Sequence, residues 1–202
     1  MSEKGQNITT AVRQMTKLYE SISLLLKSAE EELNAMGWEA TNNLVMGEGS
    51  GAINGFRRWA PHYLFRFLPA KTEPKQMVFL SVVLDDINDA NAVTEPVFGI
   101  GWFKYKPGAE KADVCWRHAK QLPLKMDPLG QAPASWQELD LKDVAEAEAF
   151  GIVEAKIFAV PLVSVTDSDQ LLEQLVKPLA EKLGDVHVDS VDEKSGDGPS
   201  GS

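Results

Sequence analysis

Asp85 and Asp86 close one apolar run, and Glu154 and Lys156 stand two apart in a later one. Acids gathered at strand ends can hold a divalent ion, and a nearby lysine can steady an attacking water or a scissile phosphate. That is the apparatus of a metal-dependent nuclease or phosphodiesterase. The order of the parts argues against it. The segment after Asp86 carries Trp102-Phe103-Lys104, with an aromatic where the second acid belongs, and the acid-x-Lys pair follows much later. Asp-Asp after a strand is ordinary turn chemistry. Glu154 and Lys156 are ordinary neighbours on one face of a strand. An enzyme is therefore the alternative reading, with Asp85, Asp86, Glu154 and Lys156 as its candidate catalytic residues.

A second constellation interleaves cations with aromatics: Arg57-Arg58-Trp59, then Trp102, Lys104 and Lys106, then Trp116-Arg117. His62, Tyr63 and Arg66 extend the pattern. On a strand, Trp102, Lys104 and Lys106 share a face. Aromatic platforms beside cations suit single-stranded nucleic acid. They suit a protein interface as well, where Trp, Tyr and Arg concentrate binding energy. The plain reading is aromatics in the core with cations at the rim.

Other candidates are weaker. Cys115 and His118 have the types for a nucleophile and its base, but three residues apart on a strand they point to opposite faces. A small buried thiol is the simpler role. One cysteine excludes an internal disulfide and a thiolate zinc cluster, and His62, His118 and His187 lack the spacing of a metal site. No metal or cofactor is expected. Gly47-Glu48-Gly49-Ser50-Gly51 lacks the Lys-Ser/Thr ending that makes a glycine loop a phosphate cradle.

The elements that must carry these residues begin with a heptad. Ile8, Met15, Ile22, Ala29 and Met36 fall seven apart, and Val12, Tyr19, Leu26 and Leu33 interleave with them. This predicts one helix about 44 Å long with an apolar stripe, capped by Asn7 and stopped by Gly37. Met15, Tyr19, Ile22, Leu26 and Leu33 are its packing or dimer residues. Glu30-Glu31-Glu32 reads as a solvated face.

Trp38 to Met46 suggests a short strand, and His62–Leu68, Met77–Leu84 and Val97–Tyr105 suggest longer ones, joined by connections short enough for an antiparallel meander. Met77–Leu84 reads as central. Gly99 and Gly101 mark a bend or a close approach by backbone. A short strand is expected near Val114–His118, and a helix from the Ser135 cap to Ala149 with Glu138 completing a capping box. Ile152–Val165 is extended, with Pro161 at an edge or bulge. A capping box at Asp167–Gln170 opens a final helix, broken or kinked by Pro178, which as a first helical residue could restart it to Leu183.

The sum is an α+β fold: a single domain over residues 1–185, with a largely antiparallel sheet of about four to six strands flanked by the long N-terminal helix and a C-terminal helix. Residues 186–202 form an acidic Gly/Ser-rich tail expected to be disordered.

Net charge is −10 over 202 residues, which disfavours nucleic acid at long range. Residues 54–125 nevertheless sum to +4, and residues 126–202 to −11. No apolar run approaches the length of a membrane span, no secretory signal pattern is present, and the cytoplasm is the expected compartment. The leading functional reading is a protein-interaction protein, adaptor or chaperone-like by fold-level analogy. It would bind a partner through the aromatic-basic face and could form a homodimer through the first helix. The nuclease and the single-stranded nucleic-acid binder through residues 54–125 are the alternatives.

Overall fold

The computed structural model describes residues 3–40, 44–47, 61–71, 75–85, 95–106, 137–138 and 151–189. The fold is α+β. Helix α1, Glu3–Ala35, runs 33 residues, about 50 Å at 1.5 Å per residue. It begins a turn before Asn7, which therefore lies inside the helix rather than capping it. The stop at Gly37 is as the sequence indicates. Gly37 has φ +90, its N–H donates to the Asn34 carbonyl (3.1 Å), and the Trp38 N–H reaches back to Leu33 (2.9 Å). This paired closure, with Trp38 and Leu33 both in the core, is a Schellman ending.

Among the described residues six strands form one sheet: β1 (Met46–Gly47), β2 (Tyr63–Pro69), β3 (Gln76–Val83), β4 (Val97–Tyr105), β5 (Gln137–Glu138) and β6 (Ile152–Pro161), ordered β1-β2-β3-β4-β6-β5. Every pairing is antiparallel. Strands β2 to β4 make the expected meander, and β3 is buried along its whole length, as its unbroken apolar run implies. Of the short strand expected over Trp38–Met46, Trp38 forms a single bridge with Ala70. Its far end, with Gly47, is β1. The helix expected from 135 does not include Gln137 and Glu138, which pair with Ile157 and Lys156 as edge strand β5. Residues 114–118 and the rest of 135–149 lie outside the described residues. Pro161 ends β6 beyond the reach of β5, where its missing N–H costs no ladder bond.

Alternation along the strands divides two cores. Leu68, Val78, Leu80, Phe98, Ile100, Trp102 and Phe158 face the helices. Tyr63, Phe65, Phe79, Phe103, Tyr105 and Ile157 lie on the opposite face and are buried as well. Gly101 belongs to that second face. A Cβ there would sit 2.1 Å from the Phe79 ring, which stacks on Phe103 with centroids 4.8 Å apart. The tightest approach at this glycine is thus made by a side chain, not by backbone as expected.

After a 3₁₀ turn at Leu162–Ser164, Asp167 caps helix α2 (Ser168–Leu171) by accepting the Gln170 N–H at 2.8 Å. A π turn over Leu172–Val176 leads directly into α3, Lys177–Asp189. The wider turn falls just ahead of Pro178, where an α-helical repeat would leave an orphan carbonyl and a ring clash. Pro178 therefore continues the helix instead of breaking it, and the helix passes Leu183 to Asp189. Leu171, Leu175, Val176, Leu179 and Leu183 pack beside α1 on the same face of the sheet. Among the described residues no helix is long and apolar enough to cross a membrane.

Candidate interaction surface

The stripe on α1 is continuous in sequence and divided in burial. Its downstream half sits on the sheet: Ile22 is 1% exposed, Leu26 3%, Ala29 0% and Leu33 0%. Its upstream half does not. Ile8 is 67% exposed, Val12 57% and Met15 43%, and Leu18 beside them is 41% exposed. The cause is length. The longest strand has 10 residues, about 33 Å, against about 50 Å of helix, so α1 overhangs the sheet. Tyr19 marks the boundary. It is half-buried, and its hydroxyl donates to the Pro61 carbonyl at 2.9 Å. Burial raises the phenol above its ordinary 10.0.

The flanks of the overhang are suited to burial. Thr9 and Thr16 lie beside the stripe, and each hydroxyl donates to a carbonyl one turn back, on Gly5 and Val12, at 3.0 Å. A neighbour covering these threonines would meet methyl groups and orphan no donor. Ala11 and Leu18 flank the other side. Arg13, Lys17 and Glu20 fall on the remainder of the circumference at 100° per residue, while Lys4 lies on the stripe side one turn before Ile8.

Downstream, α1 is fastened by charge. Arg66 on β2 donates from Nε to Glu30 Oε2 and from Nη2 to Glu30 Oε1, both at 2.7 Å, and from Nη1 to the Leu44 carbonyl at 2.8 Å. The Arg66 side chain is 6% exposed. Glu30 is therefore not part of a solvated acidic face, and Arg66 is committed inside the fold. An open cleft of about 400 Å³ lies beside this pair, lined among others by Ser23, Lys27, Glu30, Asn34 and Val45. Asn34 Oδ1 is buried there without a hydrogen-bond partner among the described residues. Nothing in the sequence signals a contact between residues 30 and 66.

The aromatic-basic set is not assembled as a surface among the described residues. Trp102 is fully buried. Its indole N–H donates to Gln76 Oε1 at 3.0 Å, and the Lys156 ammonium lies 5.6 Å from its ring centroid. It is a core residue, so it offers no exposed platform. Lys104 is half-buried in register with Gln76 and Glu154, and Lys106 is exposed just past the strand. Arg57, Arg58, Trp59, Trp116 and Arg117 lie outside the described residues, as do Cys115 and His118.

The acids of the nuclease reading are held apart. Asp85 follows the end of β3 where Val83 pairs with Val97, and its carboxylate is 3.5 Å from His62 Nδ1. Glu154 is level with Gln76 at the other end of the same strand. The separation is on the order of 30 Å along nine strand residues. Glu154 pairs instead with Lys156, at 2.8 Å. Asp86 lies outside the described residues. Among the described residues no cluster of His, Cys, Asp and Glu is placed to hold a metal ion.

Comparison with known protein families, curated proteins and solved structures finds no match to this chain.

Proposed function

We propose that this chain is a protein-interaction protein that docks through the overhanging half of α1. The observation that supports the reading is the exposure of Ile8, Val12, Met15 and Leu18 on the face that is core one turn further on. Apolar side chains aligned over several turns in water mark an interaction surface. A helix laid against a groove or another helix is recognised through anchors at this spacing. A cytoplasmic setting belongs to the same reading, since the chain carries one cysteine.

The test is affinity capture from the native host's lysate, with and without nuclease. The bait would be the unaltered chain, Val12→Glu with Met15→Glu, and Leu24→Glu as a control on the opposite face, where Leu24 is 62% exposed. A stoichiometric protein retained by the chain and by Leu24→Glu, and lost by the double variant, is the expected result. Retention by all three would refute the surface. Species that vanish with nuclease would favour the nucleic-acid reading.

A further inference from the structure

We infer that the occupant of the overhang is a second copy of this chain, with the two α1 helices antiparallel. This rests on the interaction reading above and names its partner.

The sheet selects the direction. From Ile22 onward the stripe is covered by the chain's own strands, on the same side that Ile8, Val12 and Met15 expose upstream. In a parallel pair the stripes would face each other along the whole helix, so each sheet would need the space of the other helix. In an antiparallel pair the two overhangs lie side by side, and each sheet begins where the other helix ends.

The side chains fit that arrangement in one register. Antiparallel helices set the two stripe positions of one against the opposite two of the other. Val12 then meets Met15 of the second copy, and Ile8 meets its Tyr19. One layer further, Gly5 comes opposite Ile22 of the second copy, where the sheet begins and the least side-chain bulk is wanted. The paired segment, residues 5–22, is about 27 Å long.

Charge does not oppose self-association. Thr9, Ala11, Thr16 and Leu18 flank the stripe in both copies, so no like charges are brought together at the seam. The threonine hydroxyls are already bonded within their own helix. A foreign partner chosen by charge would need a charged rim, which this segment lacks.

The test is sedimentation equilibrium on the full chain, with circular dichroism to confirm folding. The unaltered chain and Leu24→Glu should be dimers. Val12→Glu with Met15→Glu should weaken association by at least about 100-fold, because carboxylates would be buried without partners. Val12→Lys with Met15→Glu separates the orientations. It sets opposite charges in contact in an antiparallel pair and like charges in contact in a parallel one. It should recover at least about tenfold of the lost affinity, within the range of a desolvated charge pair. No recovery overturns the antiparallel register. A monomer at about 100 μM, a weak limit for a specific dimer, overturns the second copy. If the capture experiment still finds a partner lost by the double variant, the interaction reading survives that result. If it does not, both fall.

Discussion

Both carboxylate oxygens of Glu30 are taken by the guanidinium of Arg66, 36 residues further along the chain. The downstream half of α1 is thus fixed to β2 by a forked ion pair as well as by its apolar stripe. Its geometry is specific, because two parallel bonds admit one orientation.

Removing one member should cost more than removing both. Glu30→Ala leaves a nearly buried cation without its counter-charge and should destabilise the fold by about 3 kcal/mol. Glu30→Ala with Arg66→Met should be less damaging than Glu30→Ala alone. Urea unfolding of the unaltered chain, Glu30→Ala, Arg66→Met and the double variant measures the coupling, and strict additivity would show that the pair contributes nothing as a unit.

Gly101→Ala should destabilise by about 1–3 kcal/mol, the range for overpacking a core, because the added methyl would overlap the Phe79 ring. Phe79→Leu in the same chain should recover part of the loss. An unchanged thermal midpoint for Gly101→Ala would mean that the ring does not rest on the glycine.

Asn34→Ala should stabilise by about 1 kcal/mol. It removes a buried acceptor that has no donor and gives the helix its best former. Loss of stability would show that Oδ1 is satisfied from within the cleft.

Tyr19 gives a pH signature. Its phenol is held above 10.0 by burial, so folding favours the protonated form. That contribution is complete below pH 10 and is lost as pH rises through the folded value. The unaltered chain should therefore lose stability relative to Tyr19→Phe above pH 10. At neutral pH, Tyr19→Phe should be weaker by about 1 kcal/mol for the bond to Pro61. Denaturant midpoints at pH 7 and pH 11 check both statements.

The long strands were legible because Met77–Leu84 and Val97–Tyr105 concentrate β-branched and aromatic residues, and Gly37 was legible as a stop because only a left-handed residue closes a helix that way. The burial of Trp102 was not. Strand β4 is covered on both faces, so its pattern carries no sign of inside and outside, and an alternating Trp-x-Lys looks the same at a rim and on a surface. Nor does a heptad say how much of it is used. Ile8 and Leu26 have equal standing in the repeat, and only the height of the sheet separates them. The Glu30–Arg66 pair is a contact between a helix and a distant strand, and neither residue has a local feature that would identify the other.

A helix fastened over half its length is a single piece of backbone with two opening energies. Its downstream amides can exchange with solvent deuterium only when the sheet lets go, whereas those upstream of Tyr19 need only local fraying. Protection should therefore decay from Ile22 toward Glu3 within one uninterrupted element. Where that decay falls, and whether rising protein concentration pushes it toward the N-terminus, reports occupancy of the overhang residue by residue, without any label on the partner.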